Sequence, residues 1–200
     1  MTQRKYLTQS EVKDLLTCAR LGRYPERDYC LVYMGFLHGF RVSELCRLRL
    51  SDMDLTTGSL YIRRMKNGFC TRHPLLDDEI QAIRAWLRAR QAMAGADSDW
   101  LFLSRQGSAL TRQRVYQLIS RLGEQAQLPV LSHPHMLRHA CGFALADRGI
   151  DTRLIQDYLG HRNIRHTVRY TASNPERFRR VWWSINQRRG KQIGPNCKAV

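Results

Sequence analysis

Apolar residues recur at intervals of three and four along most of this chain and alternate only briefly, which predicts helices with one small sheet among them. Ile80, Ile83 and Trp86-Leu87 mark a helix from Asp77 to about Met93. Thr8-Gln9-Ser10-Glu11 has the spacing of a capping box and opens an amphipathic helix reaching about Arg20. A more apolar helix covers Pro25 to His38 and ends at Gly39, and Ser43 caps a short helix through Leu48. Further helices are expected at about 111–126, 135–148, 151–159, 163–170 and 174–188.

Turn chemistry places the strands. Asp52 to Gly58 is rich in turn residues and leads into Ser59-Leu60-Tyr61-Ile62-Arg63, a strand by composition. Lys66-Asn67-Gly68 reads as a hairpin tip with Phe69 to Pro74 returning, and Trp100 to Leu103 as a brief strand before the Gln106-Gly107 turn. Such a hairpin is marginal alone and must lie against helices. The expected fold is mainly α with a small antiparallel β-sheet (α+β). One domain is expected over residues 1–190, followed by a basic tail at 191–200. No repeat, low-complexity block or linker interrupts it.

The apolar fraction of 43% is ordinary for a globular chain of 200 residues, but the charge is not. There are 33 basic against 17 acidic residues, a net +16, and 28 of the basic ones are arginine. The guanidinium fork matches phosphate oxygens and stays charged, so the excess points to nucleic acid rather than to a merely well-solvated surface. Cysteines 18, 30, 46, 70, 141 and 197 form no CxxC pair and read as small core residues in a reducing compartment, not as zinc ligands or disulfides. With no secretory h-region and no run of about 18 apolar residues, a cytoplasmic, nucleoid-associated protein without a membrane partner is expected.

The candidate chemistry lies in short motifs. His135 and Arg138 are i and i+3 on one helix, behind Pro134 and near a helix N-terminus, an arrangement that suits a phosphate. Taken alone, the pair is also what any basic surface helix carries. His161 follows Leu159-Gly160, where glycine supplies a left-handed cap and turns the next residue back towards the body. Tyr170 alone would be read as core. Arg41 lies in Gly39-Phe40-Arg41-Val42-Ser43-Glu44-Leu45, where Glu44 can orient its guanidinium or simply pair with it. Lys66, by default a solvated turn lysine, can protonate a departing oxygen if the hairpin closes over a substrate.

These six residues, Arg41, Lys66, His135, Arg138, His161 and Tyr170, resemble in order and spacing the active-site signature of the tyrosine recombinase (phage integrase-type) family. The resemblance spans nearly the whole chain. It is strongest to the fimbrial phase-variation recombinases, through His133-Pro134-His135-Met136-Leu137-Arg138-His139 and the stretch from Thr152 to Asn174.

The resemblance implies the tyrosine recombinase catalytic-domain fold and a DNA strand transferase that needs neither metal nor ATP nor other cofactor. Arg41 and Arg138 would hold the scissile phosphate, with a further hydrogen bond from His161. Tyr170 would attack to form a 3′-phosphotyrosine bond, with His135 as proton acceptor or relay and Lys66 as the acid for the 5′ oxygen. His139, beside the motif but not one of the six, is read as packing or as a support to the catalytic groups. The implied partners are double-stranded DNA with inverted repeats, three further copies of the chain in a tetramer on DNA, and accessory DNA-bending proteins. Only about 40 residues precede Arg41, so no separate N-terminal DNA-clamping domain is expected. The implied biology is inversion of a promoter-bearing segment that switches fimbrial expression. A regulator that binds DNA without cutting it, and a type IB topoisomerase-like relaxing enzyme, are the competing readings. None of the six positions is substituted, which disfavours the regulator.

Overall fold

In a computed structural model, residues 4–64 and 70–172 are described. The helices are α1 (Gln9–Ala19), α2 (Pro25–Leu37), α3 (Val42–Leu45), α4 (Asp77–Arg90), α5 (Arg112–Gln125), α6 (Pro134–Asp147), α7 (Thr152–Leu159) and α8 (Arg165–Ala172). Strands β1 (Met53–Asp54), β2 (Ser59–Ile62) and β3 (Thr71–Pro74) form one antiparallel sheet in that order, with Leu60 opposite both Met53 and His73. The mainly helical fold with a small antiparallel sheet is the one expected. Lys66 and its hairpin tip, the helix expected at 174–188 and the tail at 191–200 lie outside the described residues.

Local chemistry accounts for most boundaries. The Thr8 hydroxyl accepts from Glu11 N while the Glu11 carboxylate accepts from Thr8 N, which closes the capping box of α1. Pro25 and Pro134 occupy first turns, where a missing N–H costs nothing. Asp151 caps α7, and Gly160 ends it at φ 65°.

Three expectations change. Helix α3 begins at Val42 after Arg41 as its N-cap and ends at Leu45, so Ser43 lies inside it rather than capping a helix through Leu48. The segment Trp100–Leu103 makes two isolated bridges, Arg49↔Trp100 and Leu103↔Ala109, instead of a regular strand, because its two ends pair with two different segments and neither pairing extends into a ladder. The turn-rich stretch after Asp52 also contains β1, a strand of two residues, too short for alternation to reveal it.

Helix α2 is the centre of the molecule, packed against α1, α4 and α6. It is buried on several sides, which explains its weakly one-sided apolar pattern. The main core joins Leu15, Leu31, Met34, Leu60, Ile83 and Trp86, and a smaller cluster gathers Cys141, Ile155, Leu159 and Tyr170. Among the described residues no helix is long and apolar enough to cross a membrane.

Trp86 anchors α4, its indole N–H donating to the Leu101 carbonyl at 2.9 Å. Trp86→Ala therefore removes core volume and orphans that carbonyl. An expected loss of about 3–5 kcal/mol in stability is measurable as a lowered urea midpoint.

Candidate active site

The C-terminal ends of α2 and α7 meet at one point. Gly39, just past α2, has φ 56°, and a Cβ there would stand 2.4 Å from Leu159 Cδ2. Helix termini leave carbonyls without intrahelical partners. Here arginines take them in turn. Arg64 Nη2 donates to Tyr158 O at 2.6 Å, Arg138 Nη2 to Leu159 O at 2.7 Å, and Arg41 Nη2 to Gly160 O at 3.2 Å. Arg138 Nη1 reaches across to Gly39 O at 2.5 Å. The negative ends of two helices thus hold the guanidinium of Arg138.

Glu44 is the carboxylate of this cluster. It accepts from Arg41 Nη1 at 2.7 Å, from Arg41 N at 2.9 Å and from Arg64 Nη1 at 2.8 Å. Burial opposes its ionisation, but the charges and hydrogen bonds of Arg64 and Arg41 outweigh that and hold its pKa below the ordinary carboxylate value. Arg138, 1% exposed, is brought down to about 10 by burial first and then by the fields of Arg41 and Arg64, so it remains a cation at neutral pH. Arg41, with 35% of its side chain exposed, is the arginine open to solvent. Three guanidiniums against one carboxylate leave a positive site.

Tyr170 lies beside it at 1% exposure. Its hydroxyl and His139 Nδ1 are 2.9 Å apart, the Phe143 ring stands edge-on at 5.1 Å, and His161 lies over it at 6.2 Å. Gly142 gives the ring room, since a Cβ there would sit 2.6 Å from Tyr170 Cε2. Burial raises the phenol's pKa, while Arg138 and Arg169 pull it back. The imidazoles shift the other way. Burial, followed by neighbouring positive charge, lowers His139 to about 4 and His161 to about 3. His135 is lowered for the same reasons, keeps an exposed ring and packs edge-on against His139 at 4.5 Å. All three are neutral at pH 7, able to accept a proton.

The structure therefore brings together Arg41, Arg138, His135, His161 and Tyr170 of the six residues singled out by sequence. Two neighbours outside the six enter the site. His139, expected either to pack or to support the catalytic groups, is the residue that meets the tyrosine hydroxyl. Arg64 is buried within the cluster, and its sequence signal is the alternation Leu60, Ile62, Arg64, which puts an arginine on the inward side of the strand line. Among the described residues no group of three or more His, Cys, Asp or Glu is placed to hold a metal ion.

Residues 5–177 match the model of the phage integrase family. The chain is 56% identical over 190 residues to the type 1 fimbriae regulatory protein FimB of Escherichia coli K12, covering 95% of this chain and 94% of that protein. It is 53% identical over 183 residues to FimE of the same strain, covering 91% and 92%. Its fold superposes on the crystal structure of XerA recombinase with a TM-score of 0.78 at 29% identity, over 92% of this chain and 66% of that one.

Two outcomes follow from this geometry. His139, His161 and the buried His73 (about 3) have folded pKa values below the ordinary 6.5, so the unfolded chain takes up protons first as pH falls. Stability is fully present above pH 6.5 and drains away towards pH 4 and below, which urea titrations across that range will register. Gly142→Ala pushes the Tyr170 ring off His139. Phenolate absorbance, compared with a Tyr170→Phe control, should then show Tyr170 ionising closer to the ordinary tyrosine value.

Proposed function

The chain belongs to the phage integrase family of tyrosine recombinases, and we propose on that premise that it is a site-specific recombinase inverting a promoter-bearing DNA segment flanked by inverted repeats. The controlled product would be fimbrial expression, the function named for FimB and FimE, to which it is similar over nearly their whole lengths. The observation that carries the chemistry is the placement of a tyrosine hydroxyl against a neutral histidine, beside two arginines that both donate to the end of α7.

The scissile phosphate of a DNA duplex would be held by Arg41 and Arg138, with His161 as a further donor. The growing charge on its nonbridging oxygens is met by preorganised donors, an effect of several kcal/mol. The Tyr170 oxygen attacks phosphorus, forming a P–O bond as the bond to the 5′ oxygen breaks. The phenol proton passes to His139 Nδ1, and His135, edge-on to it and exposed, lies on the way to solvent. Lys66 gives a proton to the departing 5′ oxygen. A 5′ hydroxyl from the partner duplex reverses these steps, and because the ester conserves bond energy the balance requires no ATP. Tyr170 is too covered to meet a phosphate as it stands, so its ring must be uncovered when DNA binds. Strand exchange between two duplexes calls for four active sites, hence a tetramer on DNA, with DNA-bending proteins aiding the synapse.

The deciding experiment incubates the purified chain and Tyr170→Phe with genomic DNA of the source organism, denatures with SDS and sequences any DNA still attached. Attachment at paired inverted repeats, lost in Tyr170→Phe, is expected. Binding by both proteins without attachment would instead make the chain a regulator. His139→Gln should slow adduct formation by about 10²-fold or more, the scale of losing one acid–base group. Unchanged single-turnover rates would remove His139 from the proton path.

A further inference from the structure

Arg64 is fully buried, with 0% of its side chain exposed, yet no step assigned above uses it. Its two terminal nitrogens are fixed by the Glu44 carboxylate and the Tyr158 carbonyl, and its Nε has no hydrogen-bond partner among the described residues. The space it fills is set by Gly160, where a Cβ would stand 2.9 Å from Arg64 Nε and 3.1 Å from Cδ. Gly160 is thus needed twice, for its left-handed backbone and for the room it leaves. An arginine buried with an unmatched donor is a costly choice for a packing position.

Its geometry gives it two roles in one side chain. Glu44 holds Arg41 by both backbone and guanidinium, so whatever fixes Glu44 fixes the exposed arginine of the site. Tyr158 precedes Leu159 and Gly160, whose carbonyls hold Arg138 and Arg41. By charge, Arg64 balances Glu44, which otherwise would face Arg41 alone and cancel its attraction for an anion. The other groups around α7's end agree with a rigid seat. The Tyr158 ring stacks on His73 at 4.1 Å, and its hydroxyl donates to Leu37 O at 2.9 Å.

We infer that Arg64 is a positioning residue of the phosphate site, holding Glu44 and the end of α7 so that Arg41 and Arg138 face one anion together. The inference rests on the strand-transfer reading for its main assay. That assay measures adduct formation on a nicked duplex carrying the recovered repeat, giving both the rate at saturating DNA and the half-saturating concentration, alongside melting temperature. Arg64→Met should lower the saturated rate by about 10²-fold, the scale of losing one preorganised donor, with the half-saturating concentration moving little. Arg64→Lys should fall between, because one ammonium cannot span both acceptors. Arg64→Met with Glu44→Gln should be faster than Arg64→Met alone, since the unbalanced carboxylate is gone.

A folded Arg64→Met or Arg64→Lys with the wild-type saturated rate overturns the inference. So does a double variant no faster than Arg64→Met, or a loss that only follows the melting temperature. If Arg64→Met does not fold, Arg64→Lys carries the comparison. Absence of any adduct from the wild-type chain counts against the strand-transfer reading, and the assignment is then decided by titrating inorganic phosphate against the arginine Nε–H resonances. About tenfold weaker binding in the Arg64 variants supports the inference, and equal binding overturns it.

Discussion

Three consecutive carbonyls at the end of α7, each bound by a different arginine, are the constraint on which the rest of the site depends. A helix C-terminus is electron-rich and its last carbonyls need donors, so it attracts guanidinium groups without any carboxylate being spent on them. The arginines come from three separate places: the start of α3, the residues just past β2, and the N-terminal half of α6. Each reaches α7 by a long side chain. Distant parts of the chain are thereby tied to a single short helix, and the smaller core cluster of Ile155, Leu159, Cys141 and Tyr170 holds that helix against α6. Packing of the apolar face fixes the carbonyls, and the carbonyls fix the cations.

An ion-pair design would have done this less well. A carboxylate for every arginine would neutralise the site, whereas carbonyl oxygens satisfy the hydrogen bonds and leave the charge in place. Glu44 is the exception, and it is shared by two arginines. A guanidinium has five N–H donors, so Arg138 retains capacity beyond the two carbonyls it serves.

Sequence made the helices legible where periodicity and caps agreed. Thr8 and Glu11, Pro25, Pro134, Asp151 and Gly160 each mark a boundary by a local mechanism that needs no tertiary information. The two-residue β1 is too short for alternation to mark it, and Trp100–Leu103, expected as a strand, is reduced to single bridges because one of its partners, Arg49, comes from far along the chain. Within the site, Arg41, His135, Arg138, His161 and Tyr170 came from motif order, not from any property visible in one residue. Tyr170 in isolation looks like core, and at 1% exposure it is core by burial as well as candidate nucleophile by contact. Arg64 was lost among 28 arginines, since charge counts cannot separate a buried guanidinium from a solvated one. The contact of His139 with Tyr170 is not legible in the sequence, because helical spacing says which face a residue shares, and not which partner an element from elsewhere will bring to it.

The same positive field explains the state of the histidines. Burial is the first cause of the low values for His139 and His161, but Arg138 contributes to both, and Arg41 to His161. A cationic neighbourhood discourages further protonation, so these imidazoles stay neutral at pH 7. An anion seated among the arginines offsets part of that field and raises the imidazoles' affinity for a proton. The arrival of a phosphodiester would therefore bring the electrophilic phosphorus and improve the base for Tyr170 together. The two effects could not be separated while Arg138 serves both, which would tie readiness of the proposed nucleophile to occupancy of the proposed phosphate site.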